Sequence, residues 1–393
     1  ASADEPDEER VRRFCDESVE HFDWLVEQGV PFKDSIWPER TPEQPNDDCL
    51  LWSGNEKAWP FRELARPAAR GHKVQNDAEG GPVLFRILSE RAEEAGVRLQ
   101  TDTRVLNLII RPDDGRVCGV VARQDGEVRC IRARRGVILC SGGFALNREM
   151  VRNHIPTVLN ENVALIGNPY DDGAGIRMGL SARGTAIQMD QYFITVVWYP
   201  PASLTKGILV NGQGQRFVNE DSYHGRCGEY AKRQDRAYLI ADNATFGYPE
   251  SGLELIATEA SIADLESALK IPTGMLQNTV AVYNENAARG EDPVFHKHPD
   301  WLKPLDEPPF AAIECSYGVA PYVSFTLGGL KTRTTGEVLT EDGQEVPGLY
   351  AAGRNACGIP RSSWGYCSGT SVADATFFGR IAGRTAAAHG SWD

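Results

Sequence analysis

The sequence has no run of apolar residues approaching the ~18–20 that cross a membrane. Its most apolar patch, Tyr192–Trp198, is stopped by Pro200 and Pro201. Positive charge is scarce: 41 Lys and Arg stand against 55 Asp and Glu, a net charge of −14. Nucleic acids and anionic membrane surfaces are bound through excess positive charge, so neither is an expected partner. The nine cysteines are odd in number and include no Cys-x-x-Cys pair. They make neither a disulfide scaffold nor a metal site, and read as free thiols in a reducing cytoplasm. Internal repeats, low-complexity tracts and a signal-peptide pattern are lacking, and the first residue is Ala1. The 393 residues suffice for two domains with separate cores.

The last fifth of the chain, by contrast, is dense in signal. Gly348–Arg354 (GLYAAGR) reads as a strand of small apolar residues ending in a glycine turn. Trp364–Gly383 reads as a Ser/Gly/Thr-rich loop entering a helix. A helix entered that way offers free backbone N–H groups and the positive end of its dipole to whatever precedes it. Small residues let a flat or anionic ligand approach the backbone closely.

Upstream, the spacing of apolar residues predicts a helix over Glu9–Gln28, ended by Gly29. Pro31–Gly81, rich in Pro, Gly, Asn, Asp and Trp, predicts a long irregular segment lying over a core or a ligand. A second amphipathic helix is expected over Val83–Ala95. Strand chemistry marks Val97–Gln100, Thr103–Ile110, Arg116–Arg123, Glu127–Arg134 and Gly136–Cys140. Turns at Asp113–Gly115 and Gln124–Gly126 join the middle three into a meander. The last strand runs into Ser141-Gly142-Gly143, and a helix capped near Asn147 should follow. From about Val151 to Ser316 the texture changes. A helix start at Asp171–Leu180, a strand pair in Lys206–Asp221, a helix opening on Ser261 with Asp264, and another over Leu276–Ala288 mark an inserted unit. Strand signals return from Tyr317. The expected division is therefore 1–150, 151–316 and 317–393, with the first and last parts forming one domain.

Six segments, in this order, resemble the FAD-dependent fumarate reductase/3-ketosteroid dehydrogenase family. They are Arg132–Phe144 (RARRGVILCSGGF), Asp171–Gly179, Gly207–Asp221 (GILVNGQGQRFVNED), Leu276–Phe295, Phe325–Thr332 and Pro347–Arg354. The resemblance implies an α/β chain (α+β overall): a doubly wound FAD-binding fold carrying an inserted α+β cap domain for the substrate. It implies FAD as cofactor and an external electron acceptor. It places Val105 at the adenine end, Ser141 and Gly142 near the pyrophosphate, and Gly353 and Arg354 at the ribityl chain. Ser371 and Val372 would meet the flavin's pyrimidine edge, and Gly369 would also bind the cofactor.

Such a fold normally opens with strand, G-x-G-x-x-G, helix, strand and an acidic residue for the ribose. That unit is not in this sequence; Gly80–Gly81 and Gly173-x-Gly175 lack the strand-turn-helix context. The expectation is a truncated form of a flavoenzyme, with exposed apolar surface and unpaired edges, that does not hold FAD tightly alone. An absorbance spectrum of the purified chain tests this. Stoichiometric flavin bands at roughly 370 and 450 nm would overturn it.

Within the family, the 4-ene (5α) branch of the ketosteroid dehydrogenases is most similar: it shares the patterns at Asn219–Arg226 (NEDSYHGR), Gly365–Ser371 (GYCSGTS) and Arg70–His72 (RGH). By that resemblance Tyr223, Tyr366 and Ser368 surround the ring of a steroid-like ketone. Fumarate reducers clamp two carboxylates with cations. Where they carry a His and an Arg, this chain has Phe325 and Tyr366, which favours a neutral substrate. The chemistry fits these residue types: a 3-oxo group acidifies the adjacent C–H, a donor to the carbonyl oxygen stabilises the enolate, and a base takes the α proton. Tyrosine, with a pKa near 10, is a poor base at neutral pH unless a linked hydroxyl shares the proton. Which tyrosine is the base stays open at this level. Other readings are a flavoprotein reducing an unsaturated acid and a non-catalytic remnant without FAD. Ser368 has the alternative of capping the following helix, and Tyr223 of simply packing. His224 and Arg226 read as surface or supporting residues, His296 and His298 as solvated. Trp37, Trp52, Trp59, Trp198 and Trp364 either line an apolar pocket or pack.

Overall fold

A computed structural model describes residues 7–41, 45–52, 54–77 and 79–392; the acidic lead-in Ala1–Pro6 lies outside the described residues. The first helix, Glu8–Glu27, starts where Asp7 accepts a hydrogen bond from the Arg10 N–H, with Glu8 and Glu9 meeting the positive end of the dipole. It packs on the C-terminal helix Thr370–Ala388, with Phe14 edge-on to Phe377 and Arg10 over the Phe378 ring. That long helix lies behind Glu345–Ala351, the middle strand of a three-stranded sheet.

The register of this sheet positions the site. Glu345–Ala351 runs parallel to Val137–Leu139, with Ala351 opposite Leu139, and antiparallel to Glu337–Leu339. Two parallel strands in register end at the same edge. Their following turns, Ser141-Gly142 and Gly353-Arg354, therefore stand side by side at the carboxyl ends, where open α/β sheets place ligands.

A second three-stranded sheet has Tyr322–Thr326 at its centre, parallel to Val163–Leu165 and antiparallel to Tyr192–Thr195. A four-stranded antiparallel sheet, in the order Ile208–Asn211, Ala237–Asp242, Phe310–Glu314, Leu255–Glu259, carries helices Ile262–Ala268 and Met275–Ala287 over its own core. The expected meander is present as Thr103–Ile110, Val117–Gln124 and Glu127–Arg132. The caps at Asn147 and Ser261 form as the sequence indicates, each side chain accepting a backbone N–H three residues on.

The strand pair expected in Lys206–Asp221 forms only its first strand, Ile208–Asn211, which Arg216 meets in a single bridge. Val97–Gln100 is not a strand; Val97 and Leu99 are 59% and 74% exposed, and no partner strand pairs with them among the described residues. A β run without a ladder gains nothing from its propensity. The helix His224–Lys232, unread in the sequence, follows Tyr223 directly. Its glycines Gly225 and Gly228 mask the helical period. They are there for close packing: a Cβ on Gly225 would lie 2.3 Å from the Phe193 ring, and one on Gly228 2.7 Å from Thr195 Cα. All nine cysteines are free thiols. Among the described residues no helix is long and apolar enough to cross a membrane.

Candidate active site

Phe193, Tyr223, Phe325, Leu327 and Tyr366 form a buried cluster separate from the main core. The strand pairing makes it: Phe193 stands opposite Phe325 across the ladder, and their rings stack at 4.7 Å. Tyr366 closes over both, 4.7 Å from Phe193 and 5.5 Å from Phe325, and its ring lies 6.1 Å from Tyr223. The three predicted catalytic residues thus come together, but paired differently from the Tyr366-x-Ser368 spacing. Tyr366 donates its hydroxyl to Ser371 Oγ at 3.0 Å. Ser368 lies near the Tyr223 phenol instead. Nor does Ser368 cap the helix: Gly369, at φ +82°, holds the cap position with no side-chain acceptor. Burial pushes the Tyr223 phenol well above 10; nearby Tyr199 and Tyr366 add to this and Ser368 opposes the upward push.

His224 is buried, not at the surface. Its ring lies 4.0 Å from that of Tyr223, and Nδ1 is 2.6 Å from Thr195 Oγ1. Burial, with the Arg40 charge, pushes its pKa down to about 3, so the ring is neutral. Arg40, from the irregular segment, donates to the carbonyls of Glu220 and Ser222 and to the Tyr199 hydroxyl, bracing the loop that carries Tyr223. Sequence reasoning missed this arginine and also Asn55, whose Oδ1 accepts the Tyr223 N–H at 2.9 Å. Neither lies in a recognisable motif. The tryptophans do not share a pocket: Trp198 is in the main core, Trp59 packs on His296, and Trp364 borders a polar cavity of about 360 Å³ with Asp190, Tyr192 and Arg233. His298 lies 3.4 Å from Asp300.

At the neighbouring edge, Asn355 is fully buried and ties the two parallel-strand turns together. Its Oδ1 accepts the Ser141 N–H, and its Nδ2 donates to the Gly142 carbonyl at 2.9 Å. Gly142 has φ +86°, and a Cβ there would sit 1.8 Å from Asp171 Oδ1, so no other residue fits. Val105 lies apart on the meander, whose Arg104 pairs with Asp172 near that turn. Arg354 donates to the Thr326 carbonyl and lies 4.2 Å over the Phe325 ring; no carboxylate pairs with it among the described residues. Burial lowers its pKa. Gly353, Arg354, Ser371 and the buried Asp374 line a small cavity of about 20 Å³.

These features fit the ribityl and flavin end of FAD. The 19-residue helix begins with no side-chain cap, and Val372 in its first turn is 54% exposed. Its N–H groups face acceptors with the positive dipole end, as the pyrimidine carbonyls of a flavin require.

The FAD binding domain family matches residues 1–367. A solved 3-ketosteroid-Δ4-(5α)-dehydrogenase from Rhodococcus jostii RHA1, in complex with 4-androstene-3,17-dione, is 42% identical. It superposes with a TM-score of 0.90 over 97% of this chain and 80% of that one. An NADH:acrylate oxidoreductase from Vibrio harveyi is 30% identical over 96% of this chain and 36% of its own length. A probable fumarate reductase from Shewanella frigidimarina is 27% identical over 81% of this chain and 55% of its own. The chain thus spans about a third to just over half of these two curated relatives. By these matches the chain belongs to the FAD-binding family that includes fumarate reductases and ketosteroid dehydrogenases.

Proposed function

We propose that this chain carries the substrate-side machinery of a dehydrogenase that introduces a C=C bond beside the ketone of a neutral, 3-ketosteroid-like substrate. One observation carries the reading: the phenols of Tyr223 and Tyr366 are buried together against Phe193, Phe325 and Leu327, with Tyr366 bonded to Ser371. A dicarboxylate requires cations. The guanidinium beside the phenols, Arg354, is engaged by the Thr326 carbonyl and the Phe325 ring, and Arg40 is engaged by the Glu220 and Ser222 carbonyls. The similarity to a ketosteroid dehydrogenase with a steroid bound supports the same choice. The unit holding the substrate is residues 151–316, closed by the Tyr366 loop.

Gly353, Arg354, Ser371 and Val372 would hold the flavin and ribityl part of FAD, with Ser141 and Gly142 toward the phosphates. Bound FAD supplies two-electron chemistry, accepting hydride from the carbon β to the ketone and passing the electrons to an external acceptor. The chain's own residues handle the oxygen and the proton. Tyr366, whose O–H turns from Ser371 to the substrate and which feels the Arg354 charge, donates to the ketone oxygen as negative charge develops there. Tyr223 takes the α proton at Oη and shares it with Ser368 Oγ. The aromatic walls exclude water from the enolate.

The direct test supplies FAD, a 3-oxo-5α-steroid and an artificial acceptor. Steroid-dependent reduction of the acceptor is expected. Turnover only of fumarate with a reduced dye would overturn the reading, as would steroid binding with no flavin uptake. A second prediction concerns pH. Because the Tyr223 phenol is held well above 10, its unprotonated fraction grows across the whole neutral range. The value of kcat/KM should rise about tenfold per pH unit and show no plateau below pH ~10. A plateau near neutrality would assign the base to another group.

A further inference from the structure

Tyr223 and Tyr366 arrive on loops far apart in sequence, yet the proposed reaction needs both hydroxyls on one ketone. One buried side chain touches both loops. Asn55, 5% exposed, accepts the Tyr223 N–H at Oδ1 (2.9 Å) and donates from Nδ2 to the Tyr366 carbonyl (3.4 Å) and to Cys367 Sγ (3.5 Å). Its orientation follows from its partners. A backbone N–H can only donate and a backbone carbonyl only accept, so a flipped amide would set donor against donor and acceptor against acceptor. The adjoining Gly54, at φ +134°, presses its backbone on the Tyr223 ring: a Cβ there would lie 2.2 Å from Cδ2. Further along, the Trp59 carbonyl accepts from Asn219 Nδ2 at 3.2 Å, at the start of the loop carrying Tyr223. Residues 54–59 therefore form a strap across the catalytic loops, with Asn55 as its two-sided contact.

We propose that Asn55 is a positioning residue that sets the register of Tyr223 against Tyr366; this rests on the dehydrogenase reading above. It touches neither phenol hydroxyl and acts only through the two main chains. Reactions needing two aligned groups lose about 100-fold for displacements near 1 Å. Asn55→Ala is expected to lower kcat by about 10–100-fold, leave KM within about threefold, and leave the shape of the pH profile unchanged. In a Tyr366→Phe background the same change should cost far less, because its effect passes through a hydroxyl already removed.

Site-specific 3-fluorotyrosine at 223 and at 366 in the holoprotein gives a readout independent of turnover. Asn55→Ala should shift both ¹⁹F resonances. Asn55→Asp keeps the acceptor for the Tyr223 N–H but loses the donor to the Tyr366 loop, so it should shift the Tyr366 resonance and spare that of Tyr223. Unmoved resonances in the folded variants, full additivity in the cycle, or a lower melting temperature with unchanged kcat would overturn the inference. Wild-type failure on ketosteroids with turnover of another substrate would overturn the dehydrogenase reading alone. The kinetic cycle is then run on that substrate, and the ¹⁹F test stands as it is.

Discussion

Tyr223→Phe is expected to lower kcat for ketosteroid dehydrogenation by about 10²–10⁴-fold with little change in KM, the usual span for removing a positioned general base. The ring stays: it packs with His224 at 4.0 Å and within the Phe193–Tyr366 cluster, so the cavity and its apolar walls persist. What goes is the Oη that takes the α proton beside Ser368. Ser368→Ala, which leaves the phenol without its neighbouring hydroxyl, should cost less than the phenylalanine variant and shift the alkaline limb of the pH profile upward, since the serine opposes the rise in the phenol's pKa. Tyr366→Phe should cost about 10²–10³-fold, as for an oxyanion donor, and the double variant should lose far less than the product of the two. Steady-state kinetics beside a melting curve check all four variants. A Tyr223→Phe enzyme within about threefold of wild type would transfer the base role elsewhere.

Much of this site was legible because its chemistry sits in short motifs. The GYCSGTS loop and the NEDSYHGR segment put forward the tyrosines and Ser368 that the structure brings near one another, and the glycine turns put forward the edge proposed for the cofactor. Their pairing was not legible. The spacing Tyr366-x-Ser368 invites a local relay, but the loop turns at Gly369 so that Ser371 meets Tyr366 and Ser368 is left for Tyr223. Arg40, Asn55 and Asn355 were invisible for a related reason. Each works through main-chain carbonyls and N–H groups of distant loops, which impose no residue type on the other partner. In the fold, amphipathic and capped helices such as Glu8–Glu27 and Ile262–Ala268 were readable. The helix His224–Lys232 was not, because tight packing on Phe193 and Thr195 demanded glycines that local pattern counts against a helix.

Removing the Glu220 carboxylate should cost about 3–5 kcal/mol of unfolding free energy, the range for breaking a buried ion pair on one side. Glu220 and Lys297 are fully buried, and Arg216 nearly so. Arg216 reaches Glu220 at 2.8 Å and Asp292 at 3.0 Å, while Lys297 Nζ lies 3.3 Å from Glu220. Two cations meet two carboxylates, and Glu220 also accepts the Leu209 N–H at 3.0 Å. In Glu220→Ala, Arg216 keeps Asp292, but Lys297 is left with the Gly207 carbonyl and the Tyr283 ring for a full buried charge. The same change loosens the stretch leading to Tyr223, so turnover should fall with stability. Acidity gives an independent check. Burial alone would raise the Glu220 pKa, but the Arg216 and Lys297 charges outweigh it and hold it below the ordinary value. A carboxyl with a depressed folded pKa stabilises fully above its unfolded pKa of about 4.3, and that contribution is lost as pH falls through the folded value. Wild type should therefore lose stability below about pH 4.3 more steeply than Glu220→Gln, which lacks the titrating group. Urea unfolding across pH 3–7 measures both effects. Adding Lys297→Met to Glu220→Gln should return part of the loss, because the stranded cation goes with it; a double variant no more stable than Glu220→Gln would show that the buried lysine is not the source of the cost.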